Sequence, residues 1–410
     1  MSSPKSPSLR GRLVRCLVFV PALLLASQAV AGTHFSRCIS RLESRARDKG
    51  IPASLVRDAL GSVSRSERVV ELDRKQPEFS RTFAHYLQPR VTEERVSRGR
   101  ELLASHRQLL HRIERRYGVP AQYLVAFWGL ETNYGSYLGR MPVLDSLATL
   151  ACDRRRSSYF SDQVLAALRI LDEGAVPRER MLGSWAGAMG NFQFMPSVFL
   201  SYAVDYDGDG RRDVWGSLPD ALASAANYLS ALGWQTGYRW GREVSLPKDF
   251  DYSLAGLNRK RALSAWRRMG VREADGDPLP RADIRAALIV PAGHRGPAFL
   301  VYHNFRVIMG WNRSQFYALA VGHLADRIAG AGHLREPPPD DAPDLSRDDV
   351  RRLQSLLNAQ GYDSGEPDGI LGPSTRDAIR AFQTKHGLIA DGYPSQALFR
   401  RLGIELAKGG

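Results

Sequence analysis

The stretch Pro120-Ala-Gln-Tyr-Leu-Val-Ala-Phe-Trp-Gly-Leu-Glu-Thr-Asn-Tyr-Gly135 opens with proline, which suits a helix's first turn, and closes on glycine. Its spacing predicts a helix in which Glu131 follows Trp128, Phe127 and Leu124 by three, four and seven residues. A helix places all four on one face, expected to be buried. Burial disfavours a carboxylate and raises its pKa, and the negative end of the helix dipole pushes the same way. A carboxylic acid kept protonated near neutral pH is what a general acid needs to cleave a glycosidic bond. Spacing alone leaves a second reading open: a glutamate at a helix end, solvated or paired with one of the many arginines.

Outward from this stretch the chain reads as mainly α. Phe35, Cys38, Ile39, Leu42 and Ala46 recur at three- and four-residue steps, and similar spacing continues to about residue 235. Two apolar runs, 287–290 and 298–302, flank Pro291-Ala-Gly-His-Arg-Gly-Pro297 and predict a small β-hairpin attached to the helical body. The segment Gly183-Ser-Trp-Ala-Gly-Ala-Met-Gly-Asn-Phe-Gln-Phe-Met-Pro-Ser197 combines small residues with Trp185, Phe192 and Phe194 as flat apolar faces and Ser184 and Gln193 as neutral hydrogen-bonding groups. Sugars bind through such a mixture. A tight helix–helix crossing lined by small residues would use the same composition.

With 410 residues, 43% hydrophobic and 24% charged, the chain is too long for one core and too balanced for a disordered, collagenous or polytopic membrane protein. Its 57 Lys+Arg against 43 Asp+Glu give a formal charge of +14, which suits an anionic partner without naming one. At the N-terminus Lys5, Arg10, Arg12 and Arg15 precede an apolar run from Cys16 to Ala26, and Ala29-Val-Ala31 supplies small residues for cleavage before Gly32. Residues 1–31 therefore read as a secretory signal peptide and the mature chain as exported, with no stable membrane anchor. Export leaves two cysteines, Cys38 and Cys152, which in an oxidising compartment are expected to form one disulfide. The alternative is two separate buried thiols.

Four prolines and four acids between Arg335 and Asp344 mark a stiff, solvated linker, 334–345. Beyond it Ser346-Arg-Asp-Asp349 has capping-box spacing, Val350, Leu353, Leu356 and Leu357 line a helix face, and Ala378, Ile379 and Phe382 form another. The tail, 346–405, reads as a small three-helix domain. All seven tryptophans lie before it, which makes residues 32–333 the place to look for chemistry. Within that span Asp205-Tyr-Asp-Gly-Asp-Gly-Arg-Arg-Asp213 has oxygen ligands at positions 1, 3, 5 and 9 of an EF-hand-like loop and glycine at 6. The Arg211 carbonyl would supply position 7, but position 12 is Gly216. An Asp-rich turn without metal is the other reading.

Three motifs together carry a family resemblance: Glu131-Thr-Asn-Tyr-Gly135, the Gly183–Ser197 segment and Ala225-Ala-Asn-Tyr-Leu229. From about residue 35 to 330 the chain resembles the lytic murein transglycosylases of the membrane-bound B type. The tail resembles the small peptidoglycan-binding domain through Leu353-Gln, Gly361-Tyr, Pro367-Asp-Gly, Gly372-Pro and Ala381-Phe-Gln. The resemblance implies an α+β lysozyme-like catalytic domain and cleavage of the MurNAc–GlcNAc bond without water, leaving a 1,6-anhydro-muramoyl end. It implies Glu131 as the only catalytic acid, later acting as base, and Tyr86, Ser184, Gln193, Tyr228, Asn312 and Tyr317 along the sugar cleft. Trp311 stands where the family often has tyrosine, so stacking is expected to survive and a hydroxyl to be lost. Asp220 would close a structural calcium site with Asp205, Asp207, Asp209 and Arg211, and the chemistry would need no cofactor. The lipoprotein cysteine is lacking.

The expected protein is a periplasmic monomer acting on peptidoglycan glycan strands, with no nucleic-acid partner. Asp145, Asp153 and Asp162 follow Glu131 without a motif that marks any as the second carboxylate of a water-using glycosidase. A hydrolytic muramidase and a non-catalytic cell-wall binder are the rivals.

Overall fold

A computed structural model describes residues 20–74, 81–153, 156–340 and 344–404, with side chains from His34 onward. The signal peptide expected over 1–31 falls outside the described side chains, as do linker residues 341–343 and residue 405 of the tail.

The helix Ala121–Thr132 lies at the centre of the helical body, and it is not amphipathic. Leu124, Val125, Ala126 and Phe127 are each at most 1% exposed, so every side is covered. Helices Glu93–Ser105, Arg107–Tyr117, Leu218–Ala231 and Gln315–Ile328 pack around it. The first helix, Val20–Asp48, packs on Ser157–Asp172, and a disulfide joins its Cys38 to Cys152 at the end of helix Val143–Ala151, with Cα atoms 5.8 Å apart.

The expected hairpin is the middle of a larger element. Arg285–Ile289 and Ala298–Val301 pair in register Leu288 to Leu300, and Ala298–Val301 pairs on its other edge with Gly241–Ser245. The two-residue strands Arg261–Ala262 and Arg272–Glu273 complete a five-stranded antiparallel sheet. Side chains alternate along each strand, so Ala287, Ile289, Phe299 and Val301 enter the helical core. Ala286, Leu288, Ala298 and Leu300 enter a second core built on Trp266, whose indole N–H donates to the Ala286 carbonyl at 3.0 Å. Burial on both faces explains why these strands read as continuous apolar runs.

The tail has its own core under helices Arg347–Ala359, Pro373–Lys385 and Gln396–Arg401, and Ser346 and Asp349 form a capping box. Two buried glutamines repeat one device. Gln354 bonds Asp368 and the Gly369 N–H, and Gln383 bonds Asp391 and the Gly392 N–H, so each clamps an Asp-Gly turn.

The linker, expected to be stiff and solvated, also makes contacts with the catalytic domain. Its side chains are largely solvated, but the Arg335 and Glu336 N–H groups donate to the Glu243 carboxylate, and Asp344 accepts from the Thr82 N–H and pairs with His85. The tail itself docks on the sheet domain: Asp391 accepts from the His294 backbone at 2.9 Å and meets its ring at 2.6 Å, and Asp377 pairs with Arg259 at 3.2 Å.

Candidate active site

The helix that carries Glu131 ends abruptly. Asn133, Tyr134 and Gly135 take positive φ values of 48°, 60° and 78°, which Asn and Gly accept at low cost and Tyr does not. Packing holds Tyr134 there: its hydroxyl donates to the Arg95 carbonyl at 2.6 Å, and the glycines at 99 and 129 leave room for its ring. Asn191 fixes the same end from the other side. Its Oδ1 accepts from the Trp128 indole at 2.9 Å, its carbonyl from the Thr132 hydroxyl at 2.8 Å, and its amide donates to the Val214 and Trp215 carbonyls. Sequence reasoning missed Asn191; the available signal was one amide among buried aromatics.

Glu131 is half-buried, and two donors converge on its Oε1: the Trp311 indole N–H at 3.0 Å and the Tyr317 hydroxyl. Tyr317 is 6% exposed, and burial, then the adjacent carboxylate, pushes its phenol well above the usual range. It therefore stays a protonated donor at any working pH. Beyond the stacking expected of it, Trp311 supplies an indole N–H donor to the acid. Its ring lies against Phe127 at 4.7 Å, Tyr228 at 5.1 Å and Phe194 at 5.4 Å, and Tyr228 stacks on Tyr202 at 4.7 Å. Burial raises the Tyr228 phenol as well.

The remaining cleft residues are placed differently. The 183–195 segment contains no helix; it is a looped ribbon with Met189 bridged to Gly183 and Phe194. Phe192 and Phe194 are buried behind Trp311 rather than offered as faces. The Ser184 hydroxyl accepts from the Ala186 and Ala188 N–H groups within the ribbon, and the Gln193 amide donates to the Gly190 carbonyl and to that of Leu138, which ties the ribbon to the chain after Glu131. Asn312 accepts from the Ser314 N–H at 3.1 Å and shapes the turn between Trp311 and Tyr317. Tyr86 is buried beside Phe316, under the Arg90 guanidinium at 3.8 Å. Each downstream aspartate faces elsewhere: Asp145 accepts from the Ser64 N–H, Asp162 pairs with Arg45 and Asp153 lies by Arg74.

Away from the acid, Asp205, Asp207, Asp209 and Asp220 bring one carboxylate oxygen each to within 4.8 Å of the others. Asp220 is fully buried, and that burial raises its carboxyl against three backbone N–H donors. No basic side chain pairs with the four among the described residues. Arg211 donates its N–H to Asp209, and Asp213, at loop position 9, turns back to the Trp215 and Gly216 N–H groups instead of joining the cluster.

The sequence profile of the transglycosylase SLT domain matches residues 34–326, and that of a peptidoglycan binding domain matches 346–402. The chain belongs to the SLT transglycosylase family. Membrane-bound lytic murein transglycosylase B of Escherichia coli K12 is 32% identical over 253 residues, covering 60% of this chain and 67% of that one. The crystal structure of Pseudomonas aeruginosa SltB3 in complex with NAG-NAM-pentapeptide is 49% identical, covers 90% of this chain and 99% of that one, and has a TM-score of 0.87. Escherichia coli Slt35 in complex with calcium is 29% identical, covers 71% and 92%, and has a TM-score of 0.62. As an SLT transglycosylase with a helix-rich, lysozyme-like fold, the protein is a lytic enzyme that cleaves the glycan strands of peptidoglycan.

Proposed function

We propose that Glu131 is the single acid and base of this cleavage. The observation that carries the reading is the convergence of the Trp311 and Tyr317 donors on one Glu131 oxygen, with Phe127, Phe194 and Tyr228 packed around the Trp311 ring. With Oε1 so engaged, the transferable proton belongs on Oε2. It passes to the glycosidic oxygen as the bond from the muramoyl C1 breaks, and the two donors stabilise the carboxylate left behind. The N-acetyl carbonyl oxygen shields C1. The Glu131 carboxylate then takes the C6 hydroxyl proton as that oxygen bonds to C1, which closes a 1,6-anhydro ring and restores the acid. No water is consumed. The engagement of Asp145, Asp153 and Asp162 elsewhere favours this route over a two-carboxylate hydrolysis. Digestion of purified sacculi in ¹⁸O-water tests it: anhydro ends without label are expected, and labelled reducing ends would make the enzyme a muramidase.

The same contacts set a pH prediction. Hydrogen bonds to a carboxylate lower its pKa, so Tyr317→Phe raises that of Glu131. Activity that needs the protonated acid is lost as pH rises through that pKa. The variant should therefore move the alkaline limb of kcat/KM to higher pH while kcat falls about tenfold, since the carboxylate left after proton transfer loses a donor worth roughly 1.5 kcal/mol. An unmoved limb would show that the phenol does not act on Glu131.

We further propose that the four-aspartate loop holds calcium as a stabiliser. Hard carboxylate oxygens gathered without a cationic side chain fit that ion, with the Arg211 carbonyl as a further ligand. Saturating calcium should raise the melting temperature by several degrees, following mass action worth about 2.7 kcal/mol at a hundredfold excess over Kd. Magnesium should not, and Asp220→Asn should abolish the response. An equal rise with magnesium would remove calcium selectivity.

Residues 32–333 and 346–405 are assigned as catalytic and peptidoglycan-binding domains of a periplasmic monomer released from a 1–31 leader. N-terminal sequencing of the secreted chain should begin at Gly32.

A further inference from the structure

A cavity of about 450 Å³ opens between the sheet domain, the turn that follows Trp311 and the docked C-terminal domain. Its charge is one-sided. Arg81, Arg259 and Arg313 line it from the catalytic domain, Arg376 and Arg380 from the tail. The two acids in the lining are already engaged: Asp377 by Arg380 and Arg259, and Asp391 by His294, Gln383 and the Tyr393 N–H. Arg376 is partly buried, yet its guanidinium makes no hydrogen bond or ion pair among the described residues. The Arg380 Nε is buried without a partner, and Arg313, exposed on the opposite wall, is also unpaired among the described residues. Unpaired, planar donors of this kind match a carboxylate. Leu257, Met309, Ile370 and Leu371 supply an apolar wall, beside the polar Thr82, Asn258, Ser314 and Gln315. Arg313 and Phe316 line this cavity from the same short segment whose Trp311 and Tyr317 bond Glu131, so one segment reaches both the cavity and the acid.

We propose that this cavity receives the peptide stem of the glycan strand, gripping a stem carboxylate between Arg376 and Arg313 and its alkyl groups on the apolar wall. The N-acetylated sugar backbone of peptidoglycan is neutral once the lactyl group is amidated, so its carboxylates reside on the stems. The docked tail then completes a binding site with the catalytic domain rather than acting as a separate anchor. This rests on the peptidoglycan reading above and deepens it.

The test titrates full-length protein, in a Glu131→Gln background so that ligand survives, with a tetrasaccharide carrying stems and with its peptide-free counterpart. Stems should raise affinity about tenfold, the worth of one charge-assisted pair. Arg376→Gln and Arg313→Gln, on opposite walls, should each abolish most of that ratio, and Arg376→Lys should restore part of it. Equal affinity for the two ligands, or a ratio that survives both variants, would overturn the proposal. So would inorganic phosphate displacing the stem ligand as well as free stem peptide does, which would reveal an unselective anion site. Cleavage of the stem-bearing tetrasaccharide by the unmutated enzyme is read separately: its absence would count against the Glu131 mechanism, whereas cleavage with no stem effect on affinity would sink this inference alone.

Discussion

Replacing Glu131 with glutamine is expected to cut the release of soluble muropeptides from sacculi by about a thousandfold or more, the scale of a general acid that also returns as base. The amide keeps the size of the side chain and an oxygen to accept from Trp311 and Tyr317, so the far-ultraviolet spectrum and melting temperature should stay within experimental scatter. Glutamine has no proton acidic enough to deliver and no carboxylate to receive one. Substantial lysis by the folded variant would place the chemistry on another residue.

The second large effect concerns stability. Cys38 and Cys152 close a loop with a sequence separation of 114, tying the first helix to the body. Chain entropy removed from the unfolded state by so long a loop is worth about 3–5 kcal/mol. Cys38→Ser should therefore lower the denaturation midpoint markedly, and reductant should do the same to the unmutated protein but not to the variant. A reduced protein that melts where the oxidised one does would show that packing of Leu42 and Ala46 alone holds the helix.

How much could be read beforehand follows from where the signal is local. The helix around Glu131, its Asn-Tyr-Gly ending, the capped tail helices and the early Asp205–Asp209 loop all lie in contiguous residues, so spacing revealed them. The sheet did not: Gly241–Ser245 mixes polar and apolar residues, and Arg261–Ala262 and Arg272–Glu273 are too short to show a period. Contacts across the chain were equally invisible. Trp311 and Tyr317 reach Glu131 over 180 and 186 residues, and nothing in Trp311's neighbours shows that its indole aims at a carboxylate. The types of Ser184 and Gln193 suit sugars, but their spacing did not show that they also bond backbone groups, Ser184 that of Ala186 and Gln193 that of Leu138. The spacing of Leu124, Phe127, Trp128 and Glu131 marked one buried face, whereas packing also covers Val125 and Ala126 on the other sides of that helix.

The strand Ala298–Val301 feeds Phe299 to one core and Leu300 to the other. A party wall of this kind cannot be lifted out without opening the rooms on both sides. Grafting or shuffling should accordingly succeed at the tail, which brings a private interior, and fail at the sheet, whose inheritance is bound to that of the helices beside it.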